Sequence, residues 1–89
     1  MGFLRPEDTA TWKTAVGDAG DKLVFLQFSA GWCTPCQLIK DDMEKLSEEM
    51  ADKYVFIYTD MDNCEEVGEV YQVANLPTFM VLKGKRPVD

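Results

Sequence analysis

Three short apolar runs, separated by amphipathic segments, most constrain what this chain can fold into. Residues 23–28 are apolar except for Gln27, residues 54–58 repeat the pattern, and residues 78–82 form a third run. Strands that are apolar on both faces are typical of parallel sheets. Because such a strand needs a layer of helices above and below it, the sequence predicts an α/β fold.

Helical patterns fill the spaces between the apolar runs. Asp8 is a suitable N-cap for a first helix, and two further segments carry apolar residues at intervals of three and four. The predicted buried positions are Trp12, Ala15, Val16 and Ala19, then Ile39, Met43, Leu46 and Met50, then Val67, Val70, Tyr71 and Ala74. With a short edge strand at residues 3–4, the predicted order is β-α-β-α-β-α-β. The 89 residues leave room for one domain, spanning residues 1–89.

Two cysteines three residues apart stand at the junction between the first long apolar run and the second helix. The motif is Trp32-Cys33-Thr34-Pro35-Cys36. A cysteine at a helix N-terminus meets unsatisfied N–H groups and the positive end of the helix dipole, which favour its reactive thiolate form. This position predicts a reversible disulfide, whereas a pair of unreactive cysteines in a turn is the alternative.

Composition excludes several function classes. The net charge of −7 argues against nucleic acid or an anionic membrane as partner. The chain contains no histidine, which removes Ser-His-Asp and Cys-His catalysis and histidine-based zinc chemistry. No apolar stretch approaches the roughly 20 residues that span a bilayer. Three cysteines, an odd number, fit a reducing compartment, so we expect a cytoplasmic protein.

Taken together, the motifs resemble those of the thioredoxin family, closest to the cytosolic animal type. The matching pieces are Phe28-Ser29-Ala30 before Trp32-Cys33, Pro35-Cys36, Ala19-Gly20-Asp21-Lys22-Leu23, and Leu76-Pro77-Thr78-Phe79. The resemblance covers essentially the whole chain. It implies a thioredoxin fold, in which helices flank a central mixed, mainly parallel sheet.

The resemblance also implies a function and a site. Cys33 would attack the disulfide of a protein substrate, and Cys36 would resolve the mixed disulfide. Trp32, Thr34, Pro35, Leu76 and Pro77 would form the substrate surface, with a cis bond between Leu76 and Pro77. The partners would be disulfide-containing proteins and a reductase of the thioredoxin-reductase type, with no cofactor besides the Cys33–Cys36 disulfide. For Trp32, a place in the core is the alternative.

Two departures from the family bear on the chemistry. Gln27 stands where the family usually has a buried Asp that relays the proton of the second cysteine, and Tyr58 stands where its lysine partner is usual. A neutral amide cannot act as a base, so we expect a slower resolving step or a shifted pH dependence. Thr34 replaces the usual Gly between the cysteines, and we expect a weaker reductant.

The chain is also shorter than the family pattern at its C-terminus. Only four residues follow the turn at Lys83-Gly84-Lys85, where the family continues with a fifth strand and a final helix. The expectation is an exposed apolar sheet face, an edge strand at residues 78–82, and a protein that is non-monomeric or marginally stable. A truncated chain, a natural short form, and a homodimer or domain swap are the three explanations that stay open.

Three alternatives remain open from the sequence. One is a redox-sensitive or vestigial binding module with little turnover, which Gln27 and Thr34 favour. A weaker one is a metal site made by Cys33, Cys36 and Cys64. Cys64 itself is either a regulatory oxidation site or a small buried filler.

Overall fold

A four-stranded sheet forms the centre of the molecule. The computed structural model describes residues 2–88. The strands are β1 (Leu23–Ser29), β2 (Tyr54–Asp60), β3 (Thr78–Lys83) and β4 (Arg86–Pro87), in the spatial order β2-β1-β3-β4. The three longer strands lie where the apolar runs predict them.

The strand directions make this a mixed sheet. β1 and β2 are parallel, whereas β3 is antiparallel to β1 and β4 is antiparallel to β3. The mixed sheet agrees with the prediction, but the expected predominance of parallel pairs does not hold among these four strands. The connection from β2 to β3 contains α4, and the chain enters β3 at the end of the sheet where β2 finishes, so β3 runs back along β1.

Four helices flank the sheet. They are α1 (Thr9–Asp18), α2 (Thr34–Leu38), α3 (Lys40–Glu49) and α4 (Glu65–Val70). The carboxylate of Asp8 caps α1 by accepting the N–H of Thr11 at 2.7 Å, and this hydrogen bond lowers the pKa of Asp8. The single helix expected after the cysteines is interrupted at Ile39 (φ −100°, ψ 1°), whose N–H bonds to the carbonyl of Gln37 instead of continuing the helical pattern.

The main core lies on one face of the sheet. Alternate β1 residues Val24, Leu26 and Phe28 pack there with residues of α1 and α4, because side chains of a strand alternate between its faces. The indole of Trp12 donates to the hydroxyl of Thr59 at 2.9 Å, which satisfies both buried polar groups.

The opposite face is less completely covered. Phe25 of β1 is half-buried, and its ring lies 5.0 Å from that of Phe56 and 5.9 Å from that of Phe79, which is 42% exposed. The predicted helix stripes are also only partly buried. Leu46 is 37% exposed and Val70 is 74% exposed, and the fully buried residue of α3 is Ser47. On the sheet face that is expected to be exposed, Phe79 is exposed, whereas Phe56 and Gln27 are buried, so the expectation holds only at β3.

The N-terminal segment takes the place of the predicted edge strand. Leu4 forms a single parallel bridge with Ile57, using hydrogen bonds to the backbone of Phe56 and Tyr58, each 2.8 Å long. Arg5 adds a salt bridge of 2.7 Å to Glu44 of α3. The N-terminal segment thus contacts both α3 and β2, the strand at the edge of the sheet.

A tight hairpin follows β3. Gly84 and Lys85, both with positive φ (59° and 71°), form a two-residue turn of the kind that suits the twist of paired strands. β4 then pairs with the end of β3, and the N–H of Val88 donates to the carbonyl of Val81. The expectation that β3 would be a bare edge strand is therefore wrong for its C-terminal half, because the predicted turn brings residues 86–88 back alongside it.

Within residues 2–88, no helix is both long enough and apolar enough to cross a membrane.

Candidate active site around Cys33 and Cys36

A disulfide joins Cys33 and Cys36, whose Cα atoms are 5.3 Å apart. The side chain of Cys33 is 5% exposed and that of Cys36 is 2% exposed. Cys33 is the more exposed of the two cysteines, as expected, but it is more buried than a residue at an exposed helix N-terminus would be. Its neighbours Trp32, Thr34 and Pro35 are exposed, so the disulfide lies just beneath an accessible surface.

Local hydrogen bonds of the backbone position the two sulfur atoms. β1 ends at Ser29, and the N–H of Cys33 donates to the carbonyl of Ala30 at 3.1 Å, which turns the chain into α2. Cys33 is the N-cap of α2, and its Sγ accepts the N–H of Cys36 at 3.3 Å. Pro35 occupies the first turn of the helix, where a missing N–H leaves no bond unmade. The same donors would stabilise a thiolate on Cys33.

The loop before β3 lies on the other side of the disulfide. The peptide bond between Leu76 and Pro77 is cis, which confirms the implication of the resemblance. Leu76 packs against the small cluster formed by Ala30, Cys33 and Cys36. Residues 43 positions apart in the sequence therefore form one surface, because β3 begins beside the end of β1.

Trp32 is 69% exposed, so it does not lie in the core. Its indole Nε1–H donates to Oδ1 of Asp62 at 3.3 Å. The sequence analysis did not name Asp62 as a site residue. It could have been found because Asp62 follows β2, and the C-terminal ends of the parallel strands β1 and β2 lie side by side.

Gln27 lies near the C-terminal end of β1, two residues before Ser29, and is 2% exposed. Its register partners are Tyr58 on β2 and Phe79 on β3, so neither neighbouring strand offers a cation at this level. The Tyr58 hydroxyl donates to the hydroxyl of Ser29 at 3.0 Å, and the guanidinium of Arg5 lies 4.6 Å from the Tyr58 ring. The buried polar groups in this layer are neutral, which avoids an unpaired buried charge.

Cys64 lies apart from the disulfide. It is fully buried in the main core with Trp12, and its Sγ is 4.0 Å from the carbonyl oxygen of Pro6. Burial raises the pKa of its thiol, and the negative charges of Asp60 and Asp8 add to the effect. This environment favours a filler over a regulatory thiol. Among residues 2–88, no three potential ligands are grouped closely enough to hold a metal.

We predict that Cys64 stays unmodified when the folded, reduced protein meets an alkylating reagent at pH 7. The pKa of its thiol is raised above the ordinary value of 9.0, so little thiolate is present at pH 7, and the side chain is shielded from solvent. Mass spectrometry of peptides should show alkylated Cys33 and unmodified Cys64. Alkylation of both cysteines at similar rates would contradict this prediction.

The same pKa shift implies a pH dependence of stability. A thiol whose pKa is raised in the folded state favours unfolding once the unfolded chain can ionise, so the free energy of unfolding should fall above about pH 9. In a Cys64→Ala variant this contribution to the slope should be absent, even though the cavity lowers stability at every pH.

These features define a class of site. A disulfide at the strand-to-helix junction of a mixed α/β sheet, opposite a cis proline and beside an exposed Trp, is suited to dithiol-disulfide exchange with another disulfide.

Comparisons with known proteins agree with this class. The thioredoxin family model matches residues 4–89. Thioredoxin from horse (Equus caballus) is 39% identical over 83 residues, which cover 93% of this chain and 78% of the horse protein. Human thioredoxin is 39% identical over 77 residues, covering 86% of this chain and 72% of the human protein. The chain therefore belongs to the thioredoxin family, whose members are disulfide oxidoreductases.

Solved structures support the fold assignment. Deadhead, a germline-specific thioredoxin of Drosophila melanogaster, superposes with a TM-score of 0.91 at 30% identity, covering 98% of this chain and 83% of the fly protein. Thioredoxin f2 in its complex with ferredoxin:thioredoxin reductase gives a TM-score of 0.88 at 28% identity, covering 99% of this chain and 79% of that protein.

Proposed function

We propose that this protein reduces disulfides of other proteins, with Cys33 as the nucleophile and Cys36 as the resolving thiol. The observation that carries this assignment is the position of Cys33 as the N-cap of α2, where the N–H of Cys36 points at its sulfur and Cys36 lies deeper. An N–H donor at a helix N-terminus stabilises negative charge on sulfur.

The exchange proceeds in two substitutions at sulfur. The Cys33 thiolate attacks one sulfur of the substrate disulfide, forms a mixed disulfide and releases the other substrate sulfur as a thiolate. The Cys36 thiolate then attacks Sγ of Cys33, closes the Cys33–Cys36 disulfide and releases the second substrate thiolate. Two electrons pass to the substrate, and its thiolates take up the two protons that the cysteines lost.

The substrate surface consists of side chains around the disulfide. Trp32, Thr34 and Pro35 are exposed on one side, and the half-buried Leu76 and Pro77 lie on the other. An extended peptide can lie between them and form hydrogen bonds with the backbone before Pro77. Exposed apolar groups that exclude water from the sulfurs would strengthen this contact.

The proposed partners are disulfide-containing proteins and a reductase that returns the protein to its dithiol form. Support for a reductase comes from the structural neighbour thioredoxin f2, which was solved with ferredoxin:thioredoxin reductase. The Cys33–Cys36 pair is the redox centre, without a separate cofactor. Such a cycle fits the cytoplasm, where thiols are kept reduced.

One observation favours a second candidate, a binding module with little turnover. Gln27 is a buried, neutral residue near the end of β1, where the family usually has a buried Asp, so that carboxylate is not available to take up the proton of Cys36. In this function, Trp32 and the Pro77 loop would hold partners while exchange is slow.

An insulin reduction assay with a dithiol reductant discriminates between the two. Turnover by the natural sequence that is lost in a Cys36→Ser variant supports the reductase. Activity near the reductant background in both proteins supports the binding module.

A second copy of the chain is the proposed occupant of the apolar sheet face. Phe79 is 42% exposed and continues a group of aromatic rings with Phe25 and Phe56, and such exposed groups mark interaction surfaces. Sedimentation velocity should show a dimer that dissociates on dilution, and a Phe79→Ser variant should sediment as a monomer. A monodisperse monomer at high concentration would contradict this proposal.

A further inference from the structure

Asp62 is the charged side chain that lies in direct contact with the substrate surface. Its Oδ1 accepts the indole N–H of Trp32 at 3.3 Å, and both side chains are exposed. Trp32 immediately precedes Cys33, so this contact places a carboxylate one side chain away from the disulfide. The N–H of Asp62 in turn donates to Oδ1 of Asp60 at 2.8 Å, which holds the loop after β2 in position.

The chain segments that carry this carboxylate and the disulfide, residues 54–82 and 23–39, contain no basic residue. The segment from residue 23 to residue 39, which carries the disulfide, has no charged residue at all. Residues 54–82, which supply the loop of Asp62 and the loop of Pro77, contain five acidic residues and no lysine or arginine. The nearest basic residue along the chain from Cys36 is Lys40, at the start of α3. Within residues 2–88, the salt bridge between Arg5 and Glu44 is the only one, so Asp62 has no cationic partner there.

Resting on the proposed reductase function, we infer that Asp62 is a specificity-determining residue that selects disulfides with Lys or Arg beside the cysteine. The carboxylate has two oxygens and several acceptor positions, so its bond to Trp32 leaves capacity for a cation of the substrate. Opposite charges at a docking surface raise the rate of encounter and fix the orientation of the partner, whereas like charges suppress binding. A substrate with Glu at the same position would meet uncompensated repulsion.

Asp62 also positions Trp32 through the same bond. The two roles are separable, because Asn keeps an acceptor oxygen for the indole N–H but carries no charge, whereas Ala removes both. Charge selection should change KM for charged substrates. Loss of the Trp32 position should lower kcat/KM for every substrate.

The test uses two synthetic disulfide peptides that are identical except for Lys or Glu beside the cysteine. At about 10 mM salt the natural sequence should reduce the Lys peptide with a kcat/KM about fivefold higher, and this ratio should approach one at about 0.5 M salt. The Asp62→Asn variant should lose at least about half of the ratio at low salt, mainly through KM. The Asp62→Ala variant should in addition lower kcat/KM for both peptides.

Asp52→Asn is the matched control. Asp52 is an exposed acid that precedes β2, whereas Asp62 follows it, so the two lie at opposite ends of the same strand. The control changes the net charge equally and should keep the fivefold ratio. Equal reduction of both peptides by the natural sequence, or an equal loss of ratio in Asp52→Asn, would overturn the inference while leaving the reductase intact. Failure to reduce either peptide or insulin would contradict the proposed function, and the inference with it.

Discussion

A Cys36→Ser variant is expected to accumulate a stable mixed disulfide with its substrate and to lose at least about 100-fold in turnover, a change of about 2.7 kcal/mol in the activation free energy. The attacking sulfur of Cys33 is unaltered in this variant, so the first substitution still occurs. A serine hydroxyl cannot displace the substrate sulfur under these conditions, because it has almost no anionic fraction and forms no disulfide. The intermediate therefore persists.

Intact mass spectrometry after exposure to a disulfide peptide should show a mass gain of one peptide strand, which is removed by excess dithiol. A Cys33→Ser variant is the matched control. It should form little adduct, because Cys36 is 2% exposed and lies behind Cys33. A Cys64→Ala variant should retain both turnover and the normal release of substrate, since Cys64 lies in the other core cluster. Adduct formation through Cys36 or Cys64 instead of Cys33 would show that the proposed order of attack is wrong.

A Gln27→Asp variant is expected to lose about 3 kcal/mol of unfolding free energy at neutral pH. The position is 2% exposed, and its strand neighbours Tyr58 and Phe79 cannot neutralise a carboxylate. Burial would raise the pKa of the new carboxyl above its unfolded value. The loss should be small well below about pH 4, where both states are protonated, should grow as the pH rises from the unfolded-state pKa to the folded-state pKa, and should level off above it. Urea unfolding across this pH range measures the effect.

The same variant tests the chemical consequence of the neutral amide. If a carboxylate at this position accepts the proton of Cys36, the resolving step should become faster above the pKa of the new carboxyl and acquire a new titration. Gln27→Asn is the control, because it matches the shape of Asp without the charge. An unchanged pH-rate profile in Gln27→Asp, with the resolving step as slow as in Gln27→Asn, would contradict a role for this position in proton transfer.

Much of the local structure could be predicted because it depends on neighbouring residues. The short apolar runs placed β1, β2 and β3 within one or two residues, and Asp8 capped α1 as expected. The turn at residues 83–85 followed from Gly84. Helix burial was less predictable. Val70 belongs to a regular apolar stripe, yet it is 74% exposed, whereas Val67 and Tyr71 of the same stripe contact the core.

The cysteine motif by itself determined the kind of chemistry available to this protein, since two thiols at a helix start can form and break a disulfide regardless of the rest of the fold. The tertiary structure alone decided what surrounds that disulfide. It placed Leu76 in contact with the cluster of Ala30, Cys33 and Cys36, Asp62 within hydrogen-bonding distance of Trp32, and Cys64 in the main core. These contacts join residues 30 or more positions apart, and their geometry depends on strand order and direction, which no local pattern encodes. The physical reason is that β3 begins beside the C-terminal end of β1 and runs antiparallel to it. The loops after β1 and β2 and the loop before β3 therefore meet at the same end of the sheet.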